Sequence, residues 1–212
     1  MRKLSVIFII AGILTALYPL GERAYRGHRQ QILLEELTDS LQAGMRQTGE
    51  TEEVPGGDKI IAGESGDNKN TVTSELNSAE GILSIETIGL RVPLLRGMSE
   101  KNLKAGAAIL EGSADVGQEG NTVVAAHRTH VYGRLFNRLN ELQAGDRLVI
   151  VTFDGEYEYL VYSNSVVTKE DVSVLDWVKG ERILTLITCH PLNRVNPPFR
   201  LVVKAKLINS PS

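Results

Sequence analysis

Ile183-Leu184-Thr185-Leu186-Ile187-Thr188-Cys189 is a run of apolar and β-branched residues that ends on the only cysteine of the chain. Its length and composition predict a strand buried on both faces. His190 to Phe199 then form a loop containing Pro191, Pro197 and Pro198, and Arg200 opens a second apolar run, Leu201-Val202-Val203. If the two strands pair antiparallel, the end of the first lies opposite the start of the second, and Cys189 faces Arg200 across the ladder. Upstream, Val123-Val124-Ala125-Ala126 form a third apolar run that stops at His127. A thiol, an imidazole and a guanidinium thus each stand at a strand end.

Working outward, short strands recur with turn signals between them. Gly81–Ile85 and Ile88–Leu95 are separated by a tight turn, and Asn121–Ala126 reads as a buried strand. Arg147–Val151 and Glu156–Tyr162 flank Asp154-Gly155, a hairpin signal. Ser165–Thr168, Ile183–Cys189 and Arg200–Leu207 complete a set of about eight. Helix is sparse: Ser99 is placed to cap a short helix through Ala105, and Leu135, Leu139 and Leu142 predict a helical turn within Tyr132–Leu142. Many short strands with little helix predict an all-β domain over residues 80–212, closed into a barrel because closure removes exposed edges.

The rest of the chain differs in composition. Leu4 to Leu20 carry no charge and follow Arg2-Lys3. A helix of about 17 residues rises roughly 25 Å, the lower end of what a bilayer core requires. No Ala-x-Ala cleavage site follows, so residues 1–21 are expected to be an uncleaved N-terminal transmembrane anchor. Residues 22–46 predict a helix with Ile32, Leu33, Leu34 and Leu37 near one face, either a juxtamembrane stalk or a brace against the later domain. Residues 47–79 hold Gly, Glu, Asp, Ser, Thr and Asn with few large apolar residues, the composition of a flexible linker. The net charge of −3 and the 5% aromatic content supply neither the basic face nor the stacking surface of a nucleic-acid binder.

One cysteine cannot make an intramolecular disulfide or a multi-thiolate zinc site. Taken singly, Cys189 reads as a small buried hydrophobe, His127 as a core histidine and Arg200 as a surface strand residue. Together they supply what thiol-based acyl transfer needs: a nucleophile, a proton donor for a leaving amine, and a cation for a carbonyl oxygen gaining charge. Spacing alone leaves this reading level with a packed, non-catalytic barrel, and does not separate a transferase from a hydrolytic peptidase. His130 and His190 invite a zinc reading, but His127-x-x-His130 fits no common ligand spacing, and a ligated Cys189 would be a blocked nucleophile. Arg194 competes with Arg200 but lies in mid-loop, with no apolar run to hold it.

Thr185-Leu186-Ile187-Thr188-Cys189 resembles the TLxTC motif of sortases, the membrane-anchored cysteine transpeptidases of Gram-positive bacteria. Val124-Ala125-Ala126-His127-Arg128 is similar to that family's histidine motif, Phe199-Arg200-Leu201-Val202-Val203 to its arginine strand, and Gly81–Ile85 with Ile88-Gly89-Leu90 to its opening strands. The resemblance spans about residues 80–208 in the family's order of His, Cys, Arg. It implies a closed eight-stranded sortase-type β-barrel with short helices, and it assigns the catalytic roles to Cys189, His127 and Arg200. It further implies surface proteins bearing a C-terminal LPxTG-like sorting signal as substrates and a cell-wall peptide precursor as amine acceptor. The place of action is then the cell membrane, in a single-pass protein with its catalytic domain on the extracellular side. No cofactor or metal is expected. The absence of any Asp-Pro pair disfavours the pilus-type class C, and Cys189-His190-Pro191 with the short loop to Arg200 is most like class D, with class A as runner-up. Some class A members bind calcium before the cysteine strand; Glu170, Asp171 and Asp176 lie there in this chain, and are expected to be solvated loop acids.

Overall fold

The computed structural model describes residues 31–41 and 78–211. The expected transmembrane anchor (1–21) and all but the last two residues of the expected linker (47–79) lie outside the described residues. Eight strands close into one barrel: β1 (Ala79–Ile85), β2 (Leu90–Arg96), β3 (Ala107–Ile109), β4 (Gly120–Ala125), β5 (Arg147–Thr152), β6 (Gly155–Thr168), β7 (Arg182–His190) and β8 (Phe199–Asn209). Their order round the barrel is β1-β2-β3-β4-β7-β8-β6-β5, with β5 returning to β1. Most neighbours are antiparallel; β2–β3 and β4–β7 are parallel.

Eight strands were expected, but not the same eight. Ala107-Ala108-Ile109 pairs with both β2 and β4, although three residues are too few to show a period of two. The two strands expected at 156–162 and 165–168 are one continuous strand, β6. Ser163-Asn164 read as a break because both are polar. In the barrel they follow a register irregularity between Val161 and Ser163, and the Asn164 amide donates to the carbonyl of Leu142 at 2.7 Å.

The interior is filled by alternate residues of each strand, among them Leu83, Ile85, Leu184, Leu186, Leu201, Val203 and Ala205, closed below by Phe136 and Leu139 of a 3₁₀ turn (Phe136–Glu141). Burying a side chain of this size contributes roughly 1.5–3 kcal/mol, so this set carries the stability of the barrel. The outer face is covered in two places. Residues 31–41 form helix α1, whose Leu37 and Leu41 pack on Ile82 with Val151 beside them, while Arg91 Nη2 donates to Thr38 Oγ1 at 2.9 Å. Leu33, Leu37 and Leu41 are four residues apart, one face of a helix. The second cover is the β6–β7 connection. Asn121, buried on the outer side of β4, donates to the carbonyls of Val174 and Asp176 at 3.0 and 3.2 Å. With cover on one side and core on the other, β7 is buried on both faces over Ile183–Leu186, which is why it reads as an unbroken apolar run.

Helix α2 (Glu100–Ala105) connects β2 to β3; the Ser99 hydroxyl accepts from the amide of Asn102 at 3.1 Å, the capping bond the sequence predicts. Trp177 lies against Gly120, where a β-carbon would stand 2.7 Å from its ring carbons at φ +119°, so glycine is required there.

Candidate active site

The two threonines of the Thr185–Cys189 segment are structural. Thr185 Oγ1 donates to Asn121 Oδ1 at 2.7 Å, and Thr188 Oγ1 donates to the carbonyl of Ala126 at 2.8 Å. Both hydroxyls are buried and both tie β7 to β4 or its continuation. The parallel register runs from Gly120 opposite Arg182 to Ala125 opposite Ile187, and the Ala126 amide still donates to the Ile187 carbonyl at 3.3 Å. Extended by two residues beyond Ala125 and Ile187, this register sets His127 level with Cys189. On the other side of β7, Cys189 pairs directly with Arg200 across the antiparallel β7–β8 ladder. The order β4-β7-β8 therefore carries imidazole, thiol and guanidinium on three adjacent strand ends at one height, with neighbouring strands about 4.8 Å apart. Arg194, the rival arginine, is exposed in the loop between β7 and β8.

Each of the three has its own environment. Cys189 is a free, half-buried thiol. His127 is exposed, but its backbone is pinned: its carbonyl accepts from the Phe136 amide at 3.2 Å as the chain folds back, and Arg128 bridges to Leu135, a residue at φ +48°. Glu100 lies within electrostatic reach of that ring; Lys104 hydrogen-bonds the Glu100 carboxyl and holds it below its ordinary range, with His127 adding a smaller push in the same direction. Arg200 Nη1 donates to the carbonyls of Pro197 and Phe199 at 3.0 and 2.9 Å, so the Pro197-Pro198 segment holds the guanidinium beside the thiol's strand. Among the described residues no hydrogen bond joins the His127 ring to Cys189. A strand-end thiol flanked by a proton carrier and a fixed cation can attack a carbonyl, hold the acyl group and pass it on.

A sortase domain model matches residues 83–208, from β1 through β8. The chain belongs to the sortase family. As such it is an enzyme, a cysteine transpeptidase. Among its relatives, Sortase A of Bacillus anthracis is 30% identical over 191 residues, covering 87% of this chain and 83% of that protein. Sortase D of Bacillus subtilis is 30% identical over 142 residues, covering 66% and 70%. Among solved structures, sortase C1 from Streptococcus agalactiae superposes with a TM-score of 0.59 at 31% identity, over 64% of this chain and 70% of that one. A Clostridium perfringens Sortase D5 transpeptidase shares the fold over 86% of this sortase, with a TM-score of 0.62 at 22% identity.

Two neighbours of the expected trio were not assigned to the site from sequence. Arg128 Nη1 lies 2.8 Å from His190 Nδ1, and its Nη2 donates to Asn140 Oδ1 at 2.6 Å. Each of these two residues follows a trio member in the chain, Arg128 after His127 and His190 after Cys189, and nothing in the sequence pairs one with the other. Of the loop acids, Asp171 accepts from the amide and hydroxyl of Ser173 at 3.1 and 2.6 Å, so its carboxylate shapes that turn.

Proposed function

We propose that this sortase cleaves an LPxTG-like sorting signal after its threonine and transfers the new carboxyl end to an amine of a cell-wall peptide precursor. In the first step the Cys189 sulfur attacks the threonine carbonyl carbon, the peptide C–N bond breaks, and His127 gives a proton to the departing amine. In the second an incoming amine attacks the thioester, its proton passes to His127, the C–S bond breaks and the thiolate is restored. Arg200 donates to the carbonyl oxygen as it gains charge in both tetrahedral states. A guanidinium has five N–H donors, so the bonds from Nη1 to Pro197 and Phe199 leave others for this role.

The observation that carries the reading is the direct Cys189–Arg200 pair across β7 and β8, beside a parallel β4–β7 register that, continued two residues past Ala125 and Ile187, leads to His127. In this proposal residues 1–21 anchor the chain in the cell membrane, the barrel lies on the extracellular side, and surface proteins bearing the sorting signal are the substrates. Class D is the favoured subclass, on the Cys189-His190-Pro191 continuation and the Sortase D relative.

The test is cleavage of a fluorogenic sorting-signal peptide, with and without an added amine. Cys189→Ala abolishes cleavage while the circular dichroism spectrum is unchanged, and added amine converts hydrolysed product to ligated product. Cleavage retained by Cys189→Ala removes the nucleophile assignment; product that stays hydrolysed at any amine concentration removes the transfer step.

A further inference from the structure

His127 is exposed, and among the described residues its ring makes no hydrogen bond, so its backbone sets where the imidazole stands. Upstream, the chain is held from the thiol's strand by the bond from Thr188 Oγ1 to the Ala126 carbonyl. Downstream, the chain leaves β4 and returns at Phe136. The tip of this loop has no core of its own: Val131 and Tyr132 are 43% and 74% exposed. Its base is held from the interior. Phe136 is fully buried, and its amide donates to the His127 carbonyl at 3.2 Å. Asn137, next in the chain and 8% exposed, donates from Nδ2 to the Thr129 carbonyl at 2.5 Å, and its own carbonyl lies 3.4 Å from Arg128 Nε. Thr129 Oγ1 closes the same turn onto the Arg134 carbonyl at 3.1 Å. The two residues that follow His127 are thus both held by one buried polar residue. Its 3₁₀ turn is itself seated in the core by Phe136 and Leu139, so its position does not follow the loop.

We propose that Asn137 is a positioning residue for His127: it ties the chain leaving the imidazole to the plug of the barrel, and so sets where the ring meets the departing amine. Only an amide nitrogen can donate to the Thr129 carbonyl, so the role belongs to the Asn137 Nδ2 group and not to its bulk. The inference rests on the reading of His127 as proton donor. A displaced acid loses rate without loss of substrate binding, because the proton must be delivered in line with the breaking bond.

The experiment compares two substrates carrying the same sorting signal on the full-length chain, in single turnover below the thermal melt. One is the peptide, whose amine needs a proton to leave. The other is an aryl thioester of the signal, whose thiolate leaves without one. Asn137→Leu keeps the volume and removes the donor. It lowers the peptide rate about 10- to 100-fold with KM unchanged, and lowers the thioester rate less than about threefold. His127→Ala sets the scale, with a peptide-selective loss of roughly 100-fold or more. Equal losses on both substrates in Asn137→Leu, the result of a merely structural role, overturn the proposal, and so does an unchanged peptide rate. If Asn137→Leu does not fold, Asn137→Ala, which also lacks the donor, is judged by the same ratio. A peptide-selective loss absent from His127→Ala removes the acid role itself and this inference with it; one present there but absent from the Asn137 variants overturns this inference alone.

Discussion

Thr188→Val tests whether the thiol and the imidazole are held in register by a buried bond. Thr188 is 3% exposed, and its hydroxyl donates to the carbonyl of Ala126 at 2.8 Å, joining the residue before Cys189 to the residue before His127. Valine has nearly the same shape, so no cavity forms. What is lost is the hydrogen bond, and what remains is a buried carbonyl with one partner fewer. Leaving such an acceptor unsatisfied costs about 1–3 kcal/mol. The added methyl recovers up to about 0.8 kcal/mol, so the net loss centres on about 1 kcal/mol. In a domain of this size that lowers Tm by roughly 4 °C. Activity measured well below the melt falls several-fold, because the chain entering His127 is no longer tied to β7. Thr188→Ser is the control: it keeps the hydroxyl and loses one methyl. Thermal melts by circular dichroism and peptide-cleavage kinetics supply both readings. A Tm for Thr188→Val within about 1 °C of wild type, or an equal loss of activity in Thr188→Ser, refutes the reasoning.

Other perturbations probe different parts of the barrel. Gly120→Ala places a β-carbon 2.7 Å from Trp177 at φ +119°, so it destabilises by about 2–3 kcal/mol and shifts the emission of the single tryptophan; an unchanged spectrum contradicts the contact. Tyr159 is 1% exposed, its hydroxyl accepts from the Gly117 amide at 2.8 Å, and burial pushes it up to about 12. Its stabilising effect is therefore complete below pH 10 and is lost as pH rises toward about 12, a fall of about 2–3 kcal/mol that urea melts of wild type show and Tyr159→Phe does not. Asn121→Leu removes three hydrogen bonds, two of them buried, and unpins the β6–β7 connection; urea unfolding should show a loss of about 2–4 kcal/mol, and a loss below about 1 kcal/mol means the connection is held by its other contacts.

The sequence alone determined the strands that are long enough to show their period, the Ser99 cap, the apolar face of α1 and the three chemistry-bearing residues at strand ends. These are legible because side-chain alternation, capping and turn chemistry are set by near neighbours in the chain. Tertiary structure decided the rest. Ala107–Ile109 became a strand only because β2 and β4 both offered it a ladder, and β6 runs through Ser163-Asn164 because β8 pairs along its whole length. The parallel β4–β7 pairing brings His127 level with Cys189 and turns Arg128 and His190, about sixty residues apart, into hydrogen-bonded partners. Which strands become neighbours, and at what offset, follows from closing the whole sheet and burying its inner face at once, a condition that no local stretch of residues carries by itself.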